Sequence, residues 1–251
     1  MGIIETEGII TREVKYGESD RILTIISKDF GKISAIANNV RRNKSGLLAG
    51  TQLFCYNKFT LFHGREKSLY KINSAEIIQP FKNLRESLEH MAYASYFCDI
   101  TNFFIHENAP DAEMLSLLLN TLYMLDNDKF SYEKLKAIFE FRTLSIAGFS
   151  PNIKKCVHCG TSENPGYLNL NDGVLLCKNC GNGLKNLIPI NQTIIDAIYY
   201  ISNIDMKHLY SFILSDEAIN YLSIVGERYL ETQSAHSYTT LEYLKKVINL
   251  T

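Results

Sequence analysis

The sequence contains no run of about twenty uncharged apolar residues, which is the length that a membrane-spanning helix requires. Its first residues, Met1-Gly2-Ile3-Ile4-Glu5, lack the basic start and the apolar block of a secretory signal peptide. With 46% hydrophobic and 21% charged residues, the composition is that of a globular protein rather than a disordered chain. We therefore expect a cytoplasmic protein without a membrane partner, large enough at 251 residues for one large domain or two smaller ones.

Motifs that mark enzymes are also missing. No Gly-x-Gly-x-x-Gly occurs, and residues 64–68 lack the glycine that precedes the lysine of a phosphate-binding loop. His106-Glu107 is not followed by the second histidine of a zinc-protease helix. Asp126 and Asp128 lack the glycine and glutamate that a calcium-binding loop needs at fixed offsets. We expect no catalytic residues, and so no enzyme.

Two Cys-x-x-Cys pairs are the strongest motif that is present. Seventeen residues separate them, and this spacing lets two tight turns present four thiolates to a single ion: Cys156, Cys159, Cys177 and Cys180. Four soft ligands suit one tetrahedral zinc ion, and a closed shell of this kind leaves no position for substrate. The motif predicts a structural zinc site, with disulfides or an iron–sulfur cluster as the alternatives. Gly160 and Gly181 follow the second cysteine of each pair, where a positive φ is often needed.

Two further cysteines, Cys55 and Cys98, stand alone in the sequence. Unpaired cysteines beside a metal motif indicate a reducing compartment, in agreement with the cytoplasm. We expect both to be small buried core residues rather than reactive groups.

Charge is distributed unevenly along the chain. Residues 1–80 hold twelve Lys and Arg against eight Asp and Glu, whereas the remainder holds fourteen against nineteen. The net charges are +4 and −5, which add to the overall −1. This asymmetry favours a polyanion facing the N-terminal region.

The N-terminal region has the pattern of a small β-barrel. Alternating or continuous apolar runs, separated by polar and glycine-containing breaks, predict strands at residues 3–14, 21–28, 31–40, 52–62 and 68–79. Five strands within about 80 residues, without a long helical pattern, are typical of the OB fold. An SH3-like barrel is the competing interpretation.

After Pro80 the periodicity becomes helical. It predicts helices at residues 81–105, 111–125, 131–146, 191–201, 215–231 and 240–250, with Ser131, Asn191 and Ser215 at N-terminal caps. We therefore predict an α+β multidomain protein: a five-stranded OB barrel at residues 1–80, then a helical domain at residues 81–251. The zinc finger is an insertion in that second domain at about residues 152–188.

Basic side chains of the barrel are the candidate contacts to a nucleic acid. Three cations occur within five residues of its longest loop, and others are spaced along the strands and turns. Phosphates attract such cations, and exposed aromatic rings stack on bases. The predicted nucleic-acid-binding residues are Arg12, Lys15, Arg21, Lys32, Arg41, Arg42, Lys44, Lys58, Arg65 and Lys67. Of the aromatics Tyr16, Phe30, Phe54, Tyr56, Phe62 and Tyr70 we expect one or two to be available for stacking, and the rest to fill the barrel.

Three stretches resemble the bacterial recombination-mediator family RecO, and the likeness extends over essentially the whole chain. The first includes residues 16–24, Gly31-Lys32-Ile33 and residues 41–45. The second includes Phe139-Glu140, Leu144 and residues 148–151, immediately before the first cysteine pair. The third is the pair of cysteine motifs, Cys156-Val157-His158-Cys159-Gly160 and Cys177-Lys178-Asn179-Cys180. Their order and separation make the resemblance specific.

The resemblance implies a nucleoid-associated DNA repair protein without covalent chemistry. Proteins of this family bind single- and double-stranded DNA through an OB fold, anneal complementary strands and help load RecA onto DNA coated by single-strand-binding protein. The implied partners are therefore DNA, RecR, the C-terminal tail of single-strand-binding protein and, indirectly, RecA. An RNA-binding or transcription-associated factor with OB and zinc-ribbon modules is the alternative function, and a nuclease is a third.

Overall fold

The computed structural model describes residues 2–41, 46–64 and 69–250 of the chain. Four of the predicted DNA-binding residues lie outside these ranges: Arg42, Lys44, Arg65 and Lys67. In the described ranges, no helix is both long and apolar enough to cross a membrane.

The first five strands form a closed barrel with the order β1-β2-β3-β5-β4. They are β1 (Gly2–Tyr16), β2 (Asp20–Ser27), β3 (Gly31–Ala37), β4 (Tyr56–His63) and β5 (Leu69–Gln79). All neighbours are antiparallel except β3 and β5, which are parallel. The inward side chains are apolar and include Ile10, Leu23, Ala35, Phe59 and Ile72. This five-stranded architecture, followed by helices and the four-cysteine cluster, confirms the predicted fold class.

A long first strand closes the barrel. β1 pairs with β4 through Gly2–Ile9 and with β2 through Gly8–Tyr16, and its register with β2 shifts between Ile10 and Arg12. A bulge of this kind bends a strand and increases its twist, so that one strand can follow two edges. The middle of β1, residues 8–11, is therefore buried, whereas its last part, residues 12–16, is exposed beside β2.

Three predicted boundaries are wrong for a common reason. The strand predicted at residues 52–62 begins only at Tyr56, the strand predicted to reach residue 40 ends at Ala37, and the helix predicted from residue 81 begins at Leu88. The apolar residues that extended those patterns, Phe54, Val40 and Phe81, are all buried, but they lie outside the regular elements. Phe54 and Phe81 have φ of 68° and 42°, which neither a strand nor a helix accepts.

The first of two compact units contains the barrel together with three helices. These helices are α1 (Leu88–Phe104), α2 (Ala112–Asp126) and α7 (Thr239–Ile248), and α1 packs against α2, α7 and β1. The Asn102 side chain accepts a hydrogen bond from Thr11 Oγ1 at 2.8 Å, and its backbone carbonyl accepts one from Lys32 Nζ at 2.8 Å. These bonds fix the end of α1 on the outside of the barrel.

The second unit, Lys129–Tyr238, combines helices with a small sheet around the cysteines. Its elements are α3 (Tyr132–Ile146), β6 (Pro165–Asn169), β7 (Val174–Cys177), α4 (Lys178–Gly181), β8 (Leu187–Pro189), α5 (Gln192–Asn203) and α6 (Asp216–Ser234). The predicted caps are confirmed, since the side chains of Ser131, Asn191 and Ser215 each accept a hydrogen bond from the backbone N–H three residues ahead. The three-stranded sheet, with order β7-β6-β8, was not predicted.

The compact units divide the chain at other positions than the predicted domains. The first unit comprises Met1–Asp128 and Thr239–Thr251, so it includes helices that the sequence assigned to the second domain. A compact unit is defined by packing, whereas a sequence boundary follows a change in periodicity. The boundary at residue 80 and the insertion limits at 152 and 188 therefore stay predictions.

Helix α3 carries buried charges at the centre of the second unit. Lys136 Nζ lies 2.9 Å from Glu140 Oε1 and 3.0 Å from Glu227 Oε2 of α6, and the Glu140 side chain is fully buried. Burial disfavours the ammonium ion, but the two carboxylates outweigh this effect and raise the pKa of Lys136 above its usual value. The α3–α6 contact therefore depends on a desolvated cation that is compensated by two anions.

We expect Lys136→Met to destabilise the protein by about 3–5 kcal/mol, because the buried carboxylate of Glu140 loses the ammonium beside it. Urea unfolding at pH 7 measures the change. The matched control is Lys129→Met, which removes an exposed lysine and should change the free energy of unfolding by less than about 0.5 kcal/mol. Equal effects of the two substitutions would show that the buried ion network contributes no more to the free energy of unfolding than an exposed lysine does.

Candidate metal centre and nucleic-acid interface

The four predicted metal ligands converge. One Sγ atom from each of Cys156, Cys159, Cys177 and Cys180 lies within 4.8 Å of all the others, and Cys159 Sγ is 3.8 Å from Cys177 Sγ. Tetrahedral zinc with bonds of about 2.3 Å requires sulfur atoms about 3.8 Å apart. The cluster is therefore of the right size for a four-coordinate metal ion, and the donor set is that of a closed site.

Local structure explains how the two pairs are built. The first pair lies in a turn in which the N–H of Gly160 donates to the carbonyl of Cys156 at 2.9 Å. Gly160 has φ of 75°, as predicted, and this conformation favours glycine. The prediction for Gly181 is wrong, since this residue ends α4 without a positive φ. Glycine is needed there for space instead, because a Cβ at this position would collide with the ring of Tyr167.

The thiols differ in acidity. Backbone N–H groups of Cys159 and Cys177 lower the pKa of Cys156 to about 6, and the N–H of Cys180 also lowers the pKa of Cys177. Hydrogen bonds to the Cys177 and Cys159 sulfurs raise the pKa of Cys180 to about 12. The surroundings thus favour the thiolate at Cys156 and Cys177 and disfavour it at Cys180. A metal ion that binds all four must displace the remaining protons.

The cysteine segment is attached to α6 by three side chains. The Tyr221 hydroxyl donates to the carbonyl of Pro189 at 2.6 Å, and the Tyr229 hydroxyl donates to that of Phe149 at 3.0 Å. Gln233 Nε2 donates to the carbonyl of Leu170 at 2.6 Å. These bonds fix the backbone on both sides of the cluster. His158, inside the first pair, is exposed.

Several predicted DNA-binding cations gather beside the β1–β2 turn. Lys15 and Arg21 are directly opposite in register, so their side chains share one face. The N–H of Arg41 donates to the carbonyl of Ser19 at 3.0 Å, which brings the start of the basic loop to the same turn. Lys15 and Arg41 are exposed, whereas Arg21 is partly buried and pairs with Glu13 at 3.0 Å. This end of the barrel therefore brings three cations together, and three carboxylates, Glu13, Glu18 and Asp20, lie at the same turn.

Other predicted cations are separated from that group. Lys58 of β4 pairs with Glu5 at 2.9 Å, and Glu5, Glu76 and Glu7 together raise the pKa of the lysine. Lys32 lies at the start of β3 and points to the carbonyl of Asn102, and Arg12 is exposed on β1. The surroundings of Lys58 are acidic, so it is the weakest candidate among the described residues.

One exposed aromatic ring lies at the same turn, on the opposite face of β1 from Lys15. Tyr16, at the end of β1, is 54% exposed, whereas Phe54 is fully buried and Phe30 and Tyr70 pack against the barrel core. The hydroxyl of Tyr56 donates to Glu7 at 2.8 Å. Tyr16 is thus the ring best placed for stacking. The sequence did not predict that Asn102 of α1 contacts Lys32. The two residues are seventy positions apart, and no motif near either one indicates the contact.

The two lone cysteines are buried, as expected for core residues. Burial raises the pKa of both thiols above the usual value. Neither belongs to the metal cluster.

Comparison with known proteins identifies one family over nearly the entire chain. The family model described as "Recombination protein O N terminal" matches residues 1–81, and "Recombination protein O C terminal" matches residues 85–242. A protein named "DNA repair protein RecO" from Acetivibrio thermocellus is 39% identical over 246 residues, which cover 98% of this chain and 97% of the relative.

Two other relatives carry the same name. The protein from Alkaliphilus metalliredigens is 34% identical and covers 98% of this chain and 100% of its own length. The protein from Dehalococcoides mccartyi is 32% identical over 222 residues, or 88% of this chain and 86% of the relative. With both terminal family models matched in order, the chain belongs to the RecO family.

Proposed function

We propose that the protein is a non-enzymatic mediator of DNA repair and homologous recombination in the cytoplasm, at the nucleoid. It binds single- and double-stranded DNA, anneals complementary strands and helps load RecA onto DNA coated by single-strand-binding protein. The observation that carries this proposal is the group of cations at the β1–β2 turn with the exposed ring of Tyr16. Membership of a family whose relatives are named DNA repair proteins supports the same function.

DNA contact in this proposal begins at the barrel. Lys15 and Arg41 supply positive charge for phosphates, whereas the charge of Arg21 is compensated by Glu13. Tyr16, on the opposite face of β1 from Lys15, supplies a flat face for an unpaired base. Arg42 and Lys44 follow Arg41 in the sequence and add two more cations to the same loop. Neither a phosphate contact nor a stacked base selects a particular sequence, which suits a protein that must act on any broken chromosome.

The cysteine cluster holds one structural zinc ion in this proposal. Its spacing and donor set favour zinc over a redox cluster, and its bonds to α6 favour a role in holding the second unit together. RecR and the C-terminal tail of single-strand-binding protein are the proposed protein partners, and RecA is reached indirectly. These partners come from the family resemblance.

Replacing Arg41, Arg42 and Lys44 with glutamate should weaken DNA binding about tenfold or more, to a similar extent for unrelated sequences, because three phosphate contacts become repulsive. Fluorescence anisotropy at several salt concentrations measures the effect. The slope of log K against log salt for single strands should fall in magnitude by about 2.

The matched control reverses three exposed lysines of the second unit, Lys129, Lys185 and Lys207, with the same change in net charge. This control should bind DNA nearly as well as the unchanged protein. If both triple variants lose affinity equally, net charge rather than the barrel loop governs binding, and the assignment of the loop is wrong.

Metal analysis should find one zinc ion per chain, and Cys177→Ser should lose it. Because this sulfur accepts the N–H of Cys180 and faces Cys159, its loss opens both halves of the cluster. We expect the thermal midpoint of the second unit to fall while single-strand affinity changes less than about threefold. Cys98→Ala, at a buried cysteine outside the cluster, should retain the zinc. A variant that keeps its fold but loses DNA affinity would instead place zinc in the DNA site.

Strand annealing provides the functional test. Complementary strands coated with single-strand-binding protein should anneal faster with the protein than without it, with RecR present or absent as a second comparison. The triple Arg41, Arg42 and Lys44 variant should lose most of the acceleration. Equal or stronger action on matched RNA would favour the RNA-binding alternative, and cleavage of DNA in the presence of a divalent metal would favour a nuclease.

A further inference from the structure

A polar cavity of about 600 Å³ lies in the first compact unit, between the outer face of the barrel and the helices α1 and α7. The barrel contributes Arg12, Thr24, Lys32 and Ser34 to its lining, and the helices contribute Ser95 and Thr239. Its volume is within the range of known small-ligand sites, about 300–1,000 Å³. Most of these side chains are hydroxyls or cations, so the lining is rich in hydrogen-bond donors.

The cavity adjoins the proposed DNA surface. Arg12, Thr24 and Ser34 are in register across β1, β2 and β3, and their side chains share the outer face of the barrel. Two and four residues further along β1, Val14 and Tyr16 lie on this same face. A strand of DNA that contacts Tyr16 and continues along the barrel therefore reaches the mouth of the cavity.

The charges of the cavity leave donors for an anion. Of its carboxylates, Glu13 is paired with Arg21 at 3.0 Å, and Asp99 accepts a hydrogen bond from Thr240 at 2.7 Å. Lys32 donates one hydrogen bond to the carbonyl of Asn102, and an ammonium group has three donors. Across the described ranges, the Arg12 guanidinium has neither a hydrogen-bond partner nor an ion pair.

The remaining carboxylate is exposed. It belongs to Glu107, whose backbone runs beside Gly31 and Lys32. Asp99 and Glu107 both keep their negative charge, because a threonine hydroxyl does not neutralise Asp99, so two carboxylates accompany the two cations. What is left for an anion is the unpartnered guanidinium of Arg12 and two donors of Lys32. An anion gains from both cations, and a guanidinium can bind phosphate through two parallel hydrogen bonds.

We propose that this cavity binds one phosphate, with its sugar, of the single-stranded DNA held by the barrel. Arg12 and Lys32 neutralise the phosphate, and the hydroxyls of Ser95 and Thr239 complete its hydrogen bonds from the helices. DNA contact then extends beyond the barrel to α1 and α7 of the same unit. This inference rests on the proposed function, because it assumes that the barrel binds DNA.

The test introduces a charge on the helical side of the cavity. Thr239→Glu should weaken binding of a labelled twenty-nucleotide oligothymidylate about tenfold, because a carboxylate then faces the phosphate. The control is Ala112→Glu. Thr239 and Ala112 are both exposed first residues of helices, where glutamate is favourable for the helix, but Ala112 does not line the cavity. Ala112→Glu should leave affinity within about twofold.

A positive charge at the same position gives a second test, in which the expected result is tighter rather than weaker binding. Thr239→Lys should tighten binding several-fold, and Ala112→Lys should not. Arg12→Gln should reduce the salt slope by about 0.7, as for one phosphate contact on a single strand. In the Arg12→Gln protein, Thr239→Glu should weaken oligonucleotide binding by a much smaller factor than in the unchanged protein, because both substitutions act on the same phosphate.

Two negative results have different meanings. If the unchanged protein binds the oligonucleotide and the Arg41, Arg42 and Lys44 variant weakens it, but Thr239 and Ala112 variants behave alike, the cavity proposal is overturned and the proposed function stands. If the unchanged protein does not bind DNA at all, the proposed function fails and the cavity proposal fails with it. Circular dichroism of each variant confirms that the comparison is between folded proteins.

Discussion

A single strand closes the barrel only if it pairs along both of its edges, and β1 meets this requirement over fifteen residues. The bulge near Thr11 bends the strand from β4 towards β2, and the side chain of Thr11 then donates to Asn102 of α1. The same bend projects Arg12, Lys15 and Tyr16 beyond the packed core. The candidate DNA surface and the docking of α1 thus have a common origin in the closure of the barrel.

The segment that carries the cysteine cluster is connected to helix α6 of the second unit by hydrogen bonds. Its small sheet has buried apolar residues in each strand, Leu168, Leu175 and Ile188, and a separate small cluster of Cys156, Leu176 and Cys177 beside the ligands. Hydrogen bonds from Tyr221, Tyr229 and Gln233 connect the segment to α6, which in turn packs on α3 around buried Lys136. The four-cysteine cluster and the α3–α6 helix pair are therefore connected within the same unit.

Periodicity predicted the number, order and type of the barrel strands and the main helices, because burial on one face imposes a period of two or of 3.6 residues. It was wrong where an apolar residue is buried outside a regular element, as at Phe54 and Phe81, since burial and regular structure then no longer coincide. It also missed β6, β7 and β8, which have three to five residues each and are too short for a period. The candidate metal ligands were easier to predict than the short strands. Each Cys-x-x-Cys pair is close together in the sequence, and a thiolate can bind a metal ion in any fold.

By itself, the sequence determined the four candidate metal ligands, the barrel followed by helices, and the excess of cations in the first eighty residues. Only the tertiary structure decided which of those cations can act together. Lys15, Arg21 and the backbone of Arg41 meet at one turn, where Glu13 pairs with Arg21 but no ion pair holds Lys15 among the described residues, whereas Lys58 pairs with Glu5. The physical reason is that charge is a property of a residue, but an electrostatic site is a property of distances across strands, and residues far apart in sequence set those distances.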